Sequence, residues 1–300
     1  MTTASRFGAG SAPPKSGLVG ETVTETGSPI HFVHPSPPSV WEALGELWGC
    51  RSTLRIFVWR DVRIRYRHTM LGAAWNVVQP LGMAAVFTFV FGVIFNAPMR
   101  DVPYPVFLFP AIILWQTFAK CLAGGGTSLE LYAGVLGKVY FPRLIAPTAA
   151  IVGATIDLLV SGVALVSLMA LYGVWPTWHV VFAPVFVLLT LIVGMGLAVW
   201  LTALDSNYKD IRHTLTFVTQ FWLFATPVMY PISMVPERLV PLYSLNPMVG
   251  LVQGFRFSLV PGVDPPTVAM VAWSALFGVV TLVTGVRYFT AREGVLVDTV

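Results

Sequence analysis

The chain has 300 residues, 56% hydrophobic and only 11% charged, with mean hydropathy +0.75 and a formal net charge of +4. Soluble domains carry about 25% charged residues, and no soluble core absorbs this much apolar surface, so a soluble enzyme or binding module is excluded. The excess must face lipid, and an all-α integral membrane fold is expected, built from helices of ~20 apolar residues that satisfy their own backbone.

Residues 1–40 are rich in Pro, Gly, Ser and Thr and are expected to form a disordered cytoplasmic tail. Within them "GAGSAPPKSG" (8–17) has the small residues of a phosphate-binding loop. It lacks the glycine before its lysine, and no apolar strand precedes it, so it is not read as a nucleotide site. Residues 41–69 combine an amphipathic stretch with a basic one. Trp41, Leu44, Leu47, Trp48, Leu54, Phe57 and Val58 recur at helical spacing among Glu42, Glu46, Arg51 and Arg55. That pattern predicts a helix lying in the membrane interface.

"RDVRIRYRHTMLG" (60–72) then places Arg60, Arg63, Arg65, Arg67 and His68 together, and from Thr69 to Met99 no residue is charged. As a helix, Arg60, Arg63 and Arg67 share a face; as a strand, Arg63, Arg65 and Arg67 alternate with Ile64 and Tyr66. The apolar run that follows favours the helix. Such a cluster orients a span and meets anionic headgroups.

Residues 70–290 form the transmembrane domain. Six segments are long and apolar enough to cross: 73–95, 104–123, 144–172, 178–203, 214–230 and 266–287. The third exceeds a perpendicular span and should tilt or project. Residues 231–262 are apolar but cut by Pro231, Pro236, Pro241, Pro247 and Pro261. Their pieces, near 238–245 and 248–260, are expected to be two short re-entrant helices, surrounded by protein or a water-filled cavity. Asn246, before Pro247, reads as a turn and helix cap. The loop 230–248 is the expected outer gate, and residues 291–300 the cytoplasmic C-terminus.

With six spans and both ends cytoplasmic, fifteen of the 18 lysines and arginines fall inside, leaving Arg100, Arg238 and Arg256 outside. A seventh span at 248–260 would put Arg256 in lipid.

Several polar and aromatic residues in the spans invite a role. Asp157 is the only charged residue in the middle of the third span; an intramembrane carboxylate should face the bundle interior. A structural polar contact is expected, with Ser161 one turn away. Phe87, Phe91 and Phe95 recur on the first span, and Phe217, Phe221 and Phe224 on the fifth, beside Trp222 and Tyr230. Such stripes ordinarily face lipid or another helix. They also suit a channel lining, because sugar rings stack on aromatic faces. Cys50 and Cys121 show no metal or disulfide spacing and read as free thiols. The five histidines form no motif, no metal site is expected, and the scattered acids give no catalytic constellation.

Three stretches carry a resemblance: "RDVRIRYRHTMLGAAWNVVQPLGMAAVFTFVFGVIF" (60–95), "LELYAGVLGKVYFPRLIAPTAAIVGATIDLLVS" (129–161) and "NYKDIRHTLTFVTQFWLFATPVMYPISMVPERLVPLYSLNPMVGLVQGFR" (207–256). "GKVYFPR", "NYKDIRH", "TPVMYP" and "LNPM", in this order, are the specific pieces. The chain resembles, over residues 41–290, the membrane subunit of type-2 ABC transporters that export lipid-linked polysaccharides such as O-antigen, teichoic acid or galactan.

The resemblance implies a multi-pass plasma (inner) membrane homodimer. It is joined to two copies of a separate ATPase that carries the ATP and Mg, so this chain holds no cofactor and is no enzyme itself. It also implies a glycan on a polyprenyl diphosphate as cargo, with Arg60, Arg63, Arg65 and Arg67 as candidates to meet the diphosphate. Short cytoplasmic helices within 128–143 and 205–212 would dock on the ATPase through Glu130, Tyr132, Lys138, Phe141, Arg143, Tyr208, Lys209 and Asp210. Partners are thus the ATPase, a second copy, the lipid-linked glycan and membrane lipids, with no nucleic acid. The alternative is a type-2 ABC permease for a drug or a lipid without glycan.

Overall fold

A computed structural model describes residues 40–67, 72–95, 102–136, 142–205 and 211–292. All regular structure among the described residues is helical. The amphipathic segment forms α1 (Val40–Gly49) and α2 (Arg51–Arg67). Backbone bonds from Cys50 N to Glu46 O (3.0 Å) and from Leu54 N to Cys50 O (3.0 Å) bridge them. The single interface helix read from sequence is therefore two, divided at Cys50. The arginine segment is helical, which settles the choice between helix and strand.

The first span begins in a 3₁₀ turn (Gly72–Ala74), entered through Gly72 at φ +52°, a left-handed value that favours glycine. It continues as α3 (Trp75–Phe87) and ends in a π-helical turn (Thr88–Ile94). Next come α4 (Tyr104–Leu136), α5 (Ile145–Leu171), α6 (Ala183–Asp205) and α7 (Ile211–Phe224). The chain closes with α8 (Val240–Ser244), α9 (Pro247–Leu259) and α10 (Val268–Arg292).

Among the described residues, five helices are long and apolar enough to cross a membrane: Gly72–Ile94, Tyr104–Ser128, Ile145–Leu171, Trp178–Leu204 and Val268–Ala291. The α4 span is the central pole, 78% buried, whereas the first span is 11% buried and forms an outer wall. α4 packs on α5 and α6, α6 packs on α10, and α2 lies against α5. Small residues permit these approaches: a Cβ at Gly125 would fall 2.5 Å from the Cβ of Ala198, and one at Gly196 would fall 2.6 Å from the Leu282 backbone nitrogen.

The segment expected to cross at 214–230 differs. Its helix, α7, has 14 residues, ~21 Å at 1.5 Å per residue. It stops before Pro227, and Thr226, Pro227, Val228 and Met229 form a buried turn. The short helices expected near 238–245 and 248–260 are α8 and α9, and α9 is buried along most of its length.

The buried turn and the start of α9 are held by side chains. Asn246 caps α9, its Oδ1 accepting from Met248 N at 3.0 Å. Its Nδ2 donates to Thr226 Oγ1 at 2.9 Å and to Ala225 O at 3.2 Å. The cap read from sequence thus also ties α9 to the turn after α7.

Candidate functional site: a polar node beside a cationic face

Four elements meet at Asp157, which is 1% exposed in the middle of α5. Its Oδ2 accepts from Arg65 Nη1 of α2 at 2.6 Å and from Lys120 Nζ of α4 at 2.8 Å. Its Oδ1 accepts from Asn76 Nδ2 of α3 at 2.8 Å and from the Tyr66 hydroxyl of α2. Lys120 also donates to Asn76 Oδ1 at 2.9 Å, and the Asn76 amide reaches the Tyr66 hydroxyl. Ser161 donates to the Asn76 carbonyl at 2.8 Å and to the Asp157 carbonyl at 3.0 Å.

A carboxylate at this depth persists only where charge and hydrogen bonds offset its lost hydration. Both offsets are present. One acid faces two cations, so the node keeps an excess positive charge. Arg65 and Lys120 retain 42% and 31% side-chain exposure, which lets that excess act outward.

Packing divides the four arginines. Arg65 belongs to the node. Arg60 pairs with Asp61 at 3.2 Å and lies over the Tyr132 ring at 4.6 Å and the Phe57 ring at 5.2 Å. Arg63 lies over Trp59 at 5.7 Å, and both Arg63 and Arg67 are exposed. With Trp59, Val62 and Tyr66 they line an open cleft of about 540 Å³. Arg63 and Arg67 are one helical turn apart, so two guanidinium groups project together. Burial, then the Asp157 contact, raises the Tyr66 hydroxyl above its ordinary pKa.

A second buried charge, this one a cation, lies far along the chain. Arg256 in α9 is 0% exposed. It donates through Nε to Phe107 O at 3.1 Å and through Nη2 to Pro227 O at 3.1 Å and Val228 O at 2.7 Å, and its guanidinium sits 3.9 Å from the Phe107 ring centroid. Among the described residues no carboxylate pairs with it, and its Nη1 lacks a partner. The Tyr104 hydroxyl takes the next carbonyl, Met229 O, at 2.5 Å. Sequence reasoning placed Arg256 outside by charge count alone. A signal was available: an arginine in an otherwise apolar helix demands partners.

Residues 52–260 match the ABC-2 type transporter family. The chain belongs to that family. It is 32% identical over 214 residues to the O-antigen export system permease protein RfbA of Myxococcus xanthus, covering 70% of this chain and 81% of that protein. A Klebsiella pneumoniae protein of the same name is 24% identical over 66% of this chain and 76% of its own length. The polysialic acid transport protein KpsM of Escherichia coli is 23% identical over 80% and 93%.

The remaining residues singled out in this ABC-2 chain fall into distinct settings. Tyr132 is buried, edge-on to Phe57 at 4.8 Å with its hydroxyl on Asp61. It joins α4 to α2. Burial, with the Asp61 contact second, raises its pKa. Glu130 lies on the same helix, and Arg143 is half-buried at the entry to α5. Lys138, Phe141, Tyr208, Lys209 and Asp210 lie outside the described residues.

The aromatics also separate. Phe87, Phe91 and Phe95 form a continuous row, the first pair edge-on and the second tilted, with centroids 6.3 and 5.8 Å apart. The first two pack on the core, whereas Phe95 is exposed. Phe217, Phe221 and Phe224 are exposed. Trp222 turns inward, its ring 5.2 Å from Phe118 and its indole donating to Asn246 Oδ1 at 2.9 Å. Tyr230 is half-buried and shares a 2.8 Å bond with the Tyr243 hydroxyl.

Proposed function

We propose that this chain is the permease subunit of an ATP-driven exporter that moves a polysaccharide, linked to a polyprenyl diphosphate, from the cytoplasmic to the outer side of the plasma membrane. Its relatives are named for O-antigen export and polysialic acid transport, and the matches cover most of both chains. That favours polysaccharide over a drug or a lipid without glycan.

In this reading two copies of the chain assemble with two copies of a separate ATPase that binds ATP and Mg. Both termini are cytoplasmic, as the distribution of lysine and arginine supports. α7 and the turn after it make the fifth of six crossings, and α8 and α9 dip in from the outer side and return. The exposed rings of Phe217, Phe221, Phe224 and Phe95 line the path of the glycan. Residues 128–143 and 205–212 receive the ATPase.

The observation that carries the diphosphate assignment is the pair Arg63 and Arg67, exposed together beside the first span. Guanidinium is planar, permanently charged and pairs bidentately with phosphate oxygens. Arg60 is committed to Asp61 and the Tyr132 ring of α4, and Arg65 to Asp157 of α5, contacts to α4 and α5 that hold α2 in position.

The test is to purify the tagged chain in mild detergent with its ATPase and to follow ATP hydrolysis. The expected result is one ATPase per permease, with hydrolysis stimulated by lipid-linked glycan and reduced by Arg63→Lys together with Arg67→Lys. A chain that purifies alone and stable, or hydrolysis stimulated by hydrophobic drugs but not by lipid-linked glycan, would overturn the reading.

A further inference from the structure

An apolar groove of about 480 Å³ runs between the first span and α5. Val77 and Leu81 form one wall, and Val160, Val163, Ala164 and Leu171 lie on the other. Val163 and Leu171 are 68% and 83% exposed, so the chain itself leaves this surface uncovered. Ser167 also lines it, but its hydroxyl is spent on the Val163 carbonyl at 2.9 Å. From Val160 to Leu171 the groove follows ~17 Å of helix at 1.5 Å per residue.

The head of the groove is the polar node. Val77 follows Asn76, Val160 is one turn beyond Asp157, and the bond from Ser161 to the Asn76 carbonyl (2.8 Å) joins the two walls there. On the other side of the node, Tyr66 contacts Asp157 and lines the cleft that carries Arg63 and Arg67. The surface thus orders two exposed guanidinium groups, a node with surplus positive charge, and a groove that is apolar apart from Ser167. An anionic lipid with one long chain has the same order: charge at one end, hydrocarbon leading away from it.

We infer that the groove between the first span and α5 holds the first isoprene units of a polyprenyl diphosphate whose phosphates sit at Arg63 and Arg67. The inference rests on the exporter reading above and adds the seat of the tail. Ala164 and Ser167 set its depth. Burial of the isoprene units is what retains the lipid here, so filling the groove should weaken its retention about tenfold or more.

The test uses the intact permease–ATPase complex in lipid nanodiscs and a polyprenyl diphosphate carrying a diazirine in its first isoprene units. Illumination should label residues 77–81 and 160–171, excess unlabelled polyprenyl diphosphate should suppress the label, and Ala164→Phe should lower both labelling and retention. Ser167→Phe is a second variant; Ser167 is exposed, so its replacement disturbs no buried contact.

Equal labelling of these residues by a phosphatidic acid with the same diazirine would reduce the groove to ordinary lipid contact and overturn the inference. So would labelling confined to α7, or ready cross-linking of Val163→Cys to its counterpart on a second copy. If the probe is retained but labels elsewhere, only the groove assignment falls. If the unmodified complex neither retains the probe nor responds to lipid-linked glycan, the exporter reading falls with it.

Discussion

Asp157 and Arg256 are both charged groups buried in an apolar bundle, and the molecule solves the two burials differently. Asp157 is met by side chains from α2, α3 and α4, two of them cationic and still in touch with the exterior. Arg256 is met by main-chain carbonyls from the first turn of α4 and from the turn after α7. Side-chain partners can exchange when helices slide, and the excess cations at Asp157 have water or an anion to turn to. Carbonyl partners move only with the backbone. The contrast makes the node a joint between elements and Arg256 a pin. Irregular backbone at membrane depth needs such a pin, because carbonyls freed by Pro227 have no water to bond.

The largest effect should come from removing the pin. Arg256→Met keeps much of the volume but leaves three buried carbonyls short of a donor, at ~1–3 kcal/mol for each unsatisfied group. Loss of at least ~3 kcal/mol is expected, read as a sharp fall in the thermal midpoint of the purified complex. Arg256→Lys should recover little, since one ammonium cannot span three carbonyls on two elements. A midpoint unchanged in Arg256→Met would mean that the turn is held by other contacts.

Next comes the joint. Asp157→Asn keeps the shape and removes the charge that holds Arg65 and Lys120. Because both cations reach water, the loss should be smaller, ~1–2 kcal/mol. Lys120→Met in the same chain should recover part of it, and a double-mutant cycle isolates the coupling. Transport should fall further than stability does, because the node fixes α2 against three spans. If Asp157→Asn and Arg256→Met lost equal stability and Asp157→Asn still transported normally, the distinction between joint and pin would collapse.

How far the sequence reveals these two sites differs for physical reasons. The long apolar runs set the helices, because a bilayer demands length and hydrophobicity from each span separately. Proline spacing located α8 and α9, and Asn246 before Pro247 marked the cap. Asp157 was visible as an isolated charge in an apolar segment, but its partners come from positions 65, 66, 76 and 120. No periodicity links those positions; only packing does. The same packing split the arginine cluster, which in sequence is four equivalent charges. α7 is shorter than the apolar run 214–230 because hydropathy continues through 225–230 while the helix ends at Phe224, before Pro227. The resemblance places Tyr132 in a short cytoplasmic helix within 128–143, whereas α4 runs on to Leu136 as one helix and buries its side chain.

The cap offers a finer cut on the side of the pin. Asn246→Ala removes an α9 cap and the bonds to Trp222, Ala225 and Thr226. Cap loss alone costs ~1 kcal/mol. Asn246→Asp keeps the cap acceptor but loses both amide donations, so it should sit between Asn246→Ala and the unmodified chain in thermal midpoint. Equal midpoints for the two variants would show that the cap contributes nothing here.

The smallest effect lies on the side of the joint and appears only at alkaline pH. Tyr66 and Tyr132 each present a hydroxyl to a carboxylate, Asp157 and Asp61, and burial raises both above the ordinary tyrosine pKa of about 10. A hydroxyl held more tightly in the folded chain than in the unfolded one stabilises the fold fully below the unfolded pKa, and that contribution is lost as pH climbs toward the folded values. Thermal midpoints should therefore stay level up to about pH 9 and decline above 10. Tyr66→Phe and Tyr132→Phe should each flatten the decline. A slope that ignores both tyrosine variants would place the alkaline transition elsewhere and remove the hydroxyls from the set of groups that lock α2 onto the bundle.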